Sequence, residues 1–285
     1  MINRGSKDGM RNLTGVNPTS DGIESALGRS QNPVLRVLIL GGTGEGNELA
    51  SRLAQRMDLL AIYSLAGRVS APKRPEGIVR VGGFGGVDGL GAYLVKEDIR
   101  MVVDSTHPFA TRISRNAELA CASLGVPLVA FTRPPWVQTK KDIWHEVVDF
   151  EEAARVVDSK KGRVFLSIGR QEVDRFAACH NAWFLIRAIE EPTGPLPDLH
   201  EILLRRGPYS LDEELQLLRD YSINYIISKN SGGAATYSKI QAAQLLKIPV
   251  IMVKHPVKHL VRTVETVEDV IVEIDRLVHR NRTTR

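Results

Sequence analysis

From residue 34 onward the chain alternates two patterns: short unbroken apolar runs, and longer stretches whose apolar residues recur at helical spacing. Residues 34–40 form a run of strand length. Gly41-Gly42-Thr43-Gly44-Glu45-Gly46 follows, and 47–56 reads as a helix. Residues 59–65 form a second strand, and 78–81 a third that runs into Gly82-Gly83-Phe84-Gly85-Gly86. A helix over 87–96, a strand over 101–104, the loop Ser105-Thr106-His107-Pro108-Phe109, a helix over 112–124 and a strand over 126–131 complete the first half. Strands alternating with helices predict right-handed crossovers and a parallel sheet.

The pattern then repeats. Val102-Val103-Asp104, loop, helix and Gly125-Val126-Pro127-Leu128-Val129 have a counterpart in Ile226-Ile227-Ser228, loop, helix and Lys247-Ile248-Pro249-Val250-Ile251. The strand at 144–148, followed by Phe150-Glu151-Glu152-Ala153, has one at 261–264, followed by Val267-Glu268-Asp269-Val270. Ser159-Lys160-Lys161-Gly162 reads as a turn, after which 163–168 opens the second half as 34–40 opens the first. The expected fold class is α/β, with two Rossmann-like parallel-sheet halves and the active site in the cleft between them. The expected division is a disordered tail over 1–33, which is polar and without apolar periodicity, a first domain over 34–160 and a second over 161–285.

Composition narrows the function. No run approaches the roughly 18 apolar residues that cross a bilayer, and there is no apolar core of a secretory signal. Two cysteines, Cys121 and Cys179, make neither a disulfide framework nor a four-cysteine zinc site, so a reducing, cytoplasmic compartment is expected. The net charge is +5, but much of the excess lies near the two ends. No block of Lys and Arg interleaved with aromatics provides a nucleic-acid footprint.

In parallel sheets ligands lie beyond the carboxyl ends of the strands, and those ends carry the candidates. Gly42 and Gly44 fit a dinucleotide loop, but the third glycine is replaced by Asn47; a tight turn without ligand explains the loop equally well. Arg68, after the second strand, suits a 2′-phosphate, with Ser64 adding a hydrogen bond; a solvated loop arginine is the alternative. Four glycines around Phe84 suit close backbone approach to a ligand, or a mobile connection. His107 can donate a proton or a hydrogen bond, although a lone histidine is more often structural. In the second half Gly169-Arg170-Gln171, Arg205-Arg206-Gly207-Pro208 and Lys229-Asn230-Ser231-Gly232-Gly233 place cations and a glycine-rich nest at strand ends, suited to carboxylates or phosphates; surface ion pairs are the alternative. No nucleophile elbow, Cys-x-x-Cys or His-Glu-x-x-His motif is present.

Taken in order, Leu40-Gly41-Gly42-Thr43 with Glu45, Ser64 to Arg68, Val81 to Gly86, Asp104 to Ala110, Gly169-Arg170-Gln171-Glu172, Arg206-Gly207-Pro208 and Lys229 to Gly233 closely resemble the precorrin-6A reductase family, over nearly all of residues 34–256. The resemblance implies an NADPH-dependent enzyme of cobalamin biosynthesis that delivers a hydride to a double bond of the precorrin-6A macrocycle, giving precorrin-6B. The cofactor site expected on the first half comprises Gly42, Thr43, Gly44, Glu45, Ser64, Arg68, Gly83, Phe84, Ser105, Thr106 and His107; the resemblance assigns no catalytic residue, and His107 is the candidate that the loop itself offers. The tetrapyrrole site expected on the second half comprises Arg170, Gln171, Arg206, Lys229, Asn230, Ser231 and Gly232, whose cations suit the anionic acetates and propionates of a precorrin. A monomer is expected, with no metal, nucleic acid or membrane partner. Three rivals stand beside this reading: reduction of the cobalt-loaded ring, a non-catalytic NADP sensor, and a nucleotide-sugar transferase.

Overall fold

A computed structural model describes residues 34–67, 74–256 and 261–283. The expected disorder of 1–33 and the position of Arg68 lie outside the described residues. The body contains two six-stranded sheets, and every strand pair in them is parallel.

The first sheet is built from β1 (Leu35–Leu40), β2 (Leu59–Leu65), β3 (Ile78–Val81), β4 (Ile99–Asp104), β5 (Leu128–Phe131) and β12 (Arg262–Val264), in the order β12-β5-β4-β1-β2-β3. The second is built from β6 (Trp144–Val147), β7 (Gly162–Ser167), β8 (Ala182–Ala188), β9 (His200–Leu204), β10 (Tyr225–Lys229) and β11 (Val250–Val253), in the order β6-β11-β10-β7-β8-β9. Numbered in chain order the first sheet runs 3-2-1-4-5-6, the doubly wound order that places a ligand where the connections change direction, and the second has the same order when β7 to β11 are numbered 1 to 5 and β6 is counted sixth.

The sixth strands are exchanged. β6 follows β5 in the chain but pairs with β11, Trp144 opposite Val250. β12 follows β11 but pairs with β5, Arg262 opposite Val129. The sheets therefore do not divide at residue 160. β6 and α4 (Phe150–Asp158) belong with the second sheet, and β12 and α7 (Val267–Thr283) with the first. The pseudo-repeat is real, and its last strand–helix unit crosses over in both copies.

Helices cover both faces. On the first sheet, α1 (Gly44–Ala54) and α7 pack over Val37, Ile39, Val103 and Val129. On the opposite face α2 (Val87–Lys96) and α3 (Thr111–Leu124) bury Leu38, Leu40, Ile62 and Val102. On the second sheet α4 and a 3-10 turn (Val173–Phe176) cover one face, and α5 (Leu211–Asp220) and α6 (Ser238–Leu246) the other. Such unbroken apolar strands are what burial on two faces requires. The first helix starts at Gly44 rather than at residue 47, because Thr43 caps it: its side chain accepts from the Gly46 N–H at 3.1 Å. The glycine loop is thus Gly41-Gly42-Thr43 and the first turn of α1.

Candidate functional site

Loops at the carboxyl ends of β1, β3 and β4 form one edge of the first sheet. Gly41 lies against the Tyr63 ring, where a Cβ would overlap it, and the Gly42 N–H donates to Tyr63 Oη at 2.9 Å. Burial raises the Tyr63 pKa, so the phenol stays protonated. Gly46 abuts Ser105, where any side chain would collide, so α1 starts close against the β4 loop. The hydroxyls there are engaged by the scaffold. Thr43 Oγ1 donates to the Ser105 carbonyl at 2.8 Å, and Ser105 Oγ to the Leu40 carbonyl at 2.8 Å. Thr106 donates to Asp104 Oδ1 through its N–H at 3.0 Å and its hydroxyl at 2.6 Å. His107 Nδ1 accepts the Phe109 N–H at 3.2 Å, which leaves the ring proton on Nε2.

The bare backbone is the part of this edge that remains open. A Cβ at Gly42, Gly44, Gly82, Gly83, Gly85 or Gly86 would meet nothing within 4 Å among the described residues, and Gly42 has φ +126°. Beside the first turn of α1 lies a cavity of about 340 Å³ lined by Gly44, Asn47, Glu48, Ser51, Arg74, Pro75 and Glu76. A helix amino end, uncovered glycines and an adjoining hollow are a fitting cradle for the phosphates and adenosine of a dinucleotide. A larger hollow, about 530 Å³, runs along the outer side of α2 and α3 and includes none of the candidate residues.

Carboxyl-end loops of the two sheets meet. Arg133, two residues beyond β5, pairs with Glu45 in the first turn of α1 at 3.3 Å and lies against Gly233 of the β10 loop. Trp136 donates through its backbone N–H to Asn230 Oδ1 at 2.8 Å, Asn230 Nδ2 donates back to the Trp136 carbonyl at 3.0 Å, and Trp136 Nε1 donates to the Gly233 carbonyl at 2.8 Å. Phe109 packs against the second sheet's core. Lys229 Nζ lies 5.4 Å from the centres of both the Phe109 and Phe150 rings and 2.9 Å from Glu172.

These contacts revise what the second-half candidates do. Asn230 is buried and its amide is used by Trp136. Ser231 is buried beside it. Gly232 and Gly233 do not form an anion nest. Their positive φ values, +65° and +74°, let Pro134 and Arg133 approach where a Cβ would collide. Lys229 and Arg170 are both ion-paired, Arg170 with Glu190 at 2.9 Å. Gln171 and Arg206 are exposed, in loops after β7 and β9.

Four residues that the sequence did not single out complete the picture: Tyr63, Arg80, Arg133 and Trp136. Each sits in a strand or a connecting segment; Tyr63, Arg133 and Trp136 act on loops distant in sequence and Arg80 on the loop that follows its own strand, and no local motif marks any of them. Among the described residues no group of His, Cys, Asp or Glu could hold a metal ion, and no helix is long and apolar enough to cross a membrane.

Comparison with known proteins adds the following. The family described as "Precorrin-6x reductase CbiJ/CobK" matches residues 36–275. A precorrin-6A reductase of Rhodococcus erythropolis is 46% identical over 235 residues, 82% of this chain and 94% of that protein. A cobalt-precorrin-6A reductase of Priestia megaterium is 24% identical over 247 residues, 82% of this chain and 96% of that protein. A solved structure described as "CobK precorrin-6A reductase" superposes with a TM-score of 0.80 at 39% identity, covering 85% of this chain and 97% of that one.

Proposed function

The chain belongs to the precorrin-6x reductase family, whose reaction here is reduction of a C=C bond of precorrin-6A, and from that membership we propose that NADPH is the reductant and lies on the carboxyl edge of the first sheet. The supporting observation is the run of uncovered glycines there, with the α1 amino end and the adjoining cavity. The nicotinamide, when bound, supplies the hydride for one carbon of the double bond; a proton completes the other carbon.

The chain's own residues hold and shape the site. The first turn of α1 and Gly42 face the cofactor's phosphates, and Gly83 and Phe84 its adenosine side. Thr43, Ser64, Ser105 and Thr106 act through the loops they fix. Glu45 keeps Arg133 beside the α1 amino end. His107, with Nδ1 accepting from Phe109, is the candidate proton or hydrogen-bond donor of the loop after β4. The macrocycle occupies the space between the two carboxyl edges, with Arg170, Gln171, Arg206 and Lys229 towards its carboxylates. Arg68 remains a candidate for the 2′-phosphate on its place in the sequence. Identity of 46% to a relative named for the metal-free ring, against 24% to one named for the cobalt-loaded ring, favours the metal-free substrate. Two free cysteines fit the reducing cytoplasm.

The test is incubation of the purified protein with precorrin-6A and either NADPH or NADH, following the nicotinamide and ring absorbance. NADPH oxidation in step with loss of the ring band is expected. Turnover with NADH alone would overturn the cofactor assignment, and turnover restricted to the cobalt-loaded ring would overturn the substrate assignment.

A further inference from the structure

Arg80 is the next-to-last residue of β3 and stands opposite Ser64 of β2. Its Nη1 donates to Ser64 Oγ at 2.9 Å and to the Gly82 carbonyl at 2.7 Å, and its Nη2 donates to the Gly83 carbonyl at 2.8 Å. The guanidinium lies 3.8 Å from the Phe84 ring centre and 5.0 Å from that of Tyr93, and those two rings meet edge to face at 5.2 Å. Carbonyls, a hydroxyl and ring faces surround the cation. Burial works against its charge, and the neighbour that favours the charge is Tyr93.

This arrangement has a stereochemical consequence. A trans peptide points its C=O and the following N–H in opposite directions. With the Gly82 and Gly83 carbonyls drawn onto Arg80, the N–H groups of Gly83 and Phe84 point away from it. Among the described residues nothing lies within 4 Å of where a Cβ would stand at Gly82, Gly83, Gly85 and Gly86, so they leave the loop backbone open to approach. Successive outward N–H groups beside a cation attract an oxyanion. The loop follows β3, next to β2, whose carboxyl end is where a doubly wound dinucleotide site receives the adenosine ribose.

Building on the NADPH assignment above, we propose that Arg80 is a positioning residue that determines cofactor choice: it turns the Gly83 and Phe84 N–H groups towards the 2′-phosphate of NADPH. The Ser64 hydroxyl, an expected ligand of that phosphate, acts instead by accepting from Arg80.

The test measures Kd for NADPH, NADH and adenosine 2′,5′-bisphosphate by fluorescence titration, alongside kcat and KM, in wild type, Arg80→Met, Arg80→Lys and Gly83→Ala. Arg80→Met should weaken NADPH and the bisphosphate by about ten- to a hundredfold, alter NADH less than threefold, and leave kcat at saturating NADPH near the wild-type value. Arg80→Lys keeps the charge without the fork and should recover only part of the loss. Gly83→Ala places a methyl in open space at a residue without left-handed φ, so its melting temperature should match wild type while NADPH weakens more than NADH. If Arg80→Met is poorly folded, Gly83→Ala carries the test alone. Equal losses for NADPH and NADH, or no loss for either, would overturn the proposal. A wild-type protein that binds neither nucleotide would instead overturn the cofactor assignment.

Discussion

Replacing Lys239 by methionine should make the protein more stable at neutral pH. Lys239, in the first turn of α6, is 4% exposed. Its Nζ donates to the Thr236 carbonyl at 2.8 Å and lies 5.2 Å from the Trp136 ring centre. The nearby carboxylate, Glu214, is held by Arg187 through two hydrogen bonds of 2.8 and 3.0 Å. Desolvation first, and the Arg187 cation second, push the Lys239 pKa down from 10.5 to about 7, against a smaller opposing pull from Glu214. Below pH 7 the amine is protonated in folded and unfolded chains alike, and the folded state bears the full cost of the buried charge. Between 7 and 10.5 the unfolded chain binds more protons, so stability rises with pH, and above 10.5 the cost is gone. At about 1.36 kcal/mol per pH unit the full cost is about 5 kcal/mol. Loss of the Thr236 hydrogen bond and a responsive interior reduce the gain, so Lys239→Met should gain about 2–4 kcal/mol at pH 7. At about 2–4 °C per kcal/mol this is a rise of several degrees in Tm. Melts at pH 7 and pH 9 provide the assay. Wild type should recover about 2 kcal/mol relative to the variant over that interval. Buried Cys121 and Tyr63, whose pKa values are raised, are common to both proteins and cancel. A variant with a lower Tm, offset equally at both pH values, would refute the reasoning.

Three further outcomes bear on the joint between the sheets and on the two ligand edges. Asn230→Ala removes the partner of two part-buried backbone groups of Trp136 and should cost about 1–3 kcal/mol in urea melts; an unchanged midpoint would show that the Trp136 contact carries no stability. Gly233→Ala meets Arg133 at φ +74° and should lose about 1–3 kcal/mol, whereas Gly44→Ala, facing open space, should melt normally and weaken NADPH; the reverse pattern would exchange their roles. Lys229→Met should raise KM for the tetrapyrrole about tenfold without changing that for NADPH. The rise should persist in a Glu172→Gln background, and its disappearance there would show that Lys229 acts only through Glu172.

The strands of the first sheet were legible because burial on both faces writes itself as unbroken apolar runs, as in Leu35–Leu40 and Ile99–Asp104. β8, β9 and α5 were not read from the pattern, although they complete the second sheet. The exchange of sixth strands was illegible for a physical reason. Trp144–Val147 and Arg262–Val264 are short edge strands with one fully buried residue each, Val147 and Val264. Such a strand pairs through its backbone and fits either sheet. What assigns it is the path of the connecting segment and the helix that follows. α7 fixes the choice for β12 by placing Val267, Val270, Ile274 and Val278 against α1 and the first sheet.

The site shows the same division between what a residue type announces and what its surroundings leave available. Ser105, Thr106, Asn230 and Lys229 carry polar groups at strand ends, which marks them as candidates, and each has a protein partner there. Buried polar groups must be satisfied, so in a tightly packed edge the side chains best able to hydrogen-bond are the first used by the scaffold. A site that binds a phosphorylated ligand then depends on donors the scaffold leaves free. In this chain the backbone with no described residue packed over it lies along glycines, at Gly44 beside α1 and at Gly83, Gly85 and Gly86 beyond β3, whereas the Gly42 and Gly82 N–H groups are taken by Tyr63 and Leu65. Both loops are held from behind, the first by Tyr63, which accepts the Gly42 N–H, and the second by Arg80, which donates to the Gly82 and Gly83 carbonyls. The glycines could be read from the sequence, but the residues that hold them could not, because both lie in strands and reach a loop through a side chain.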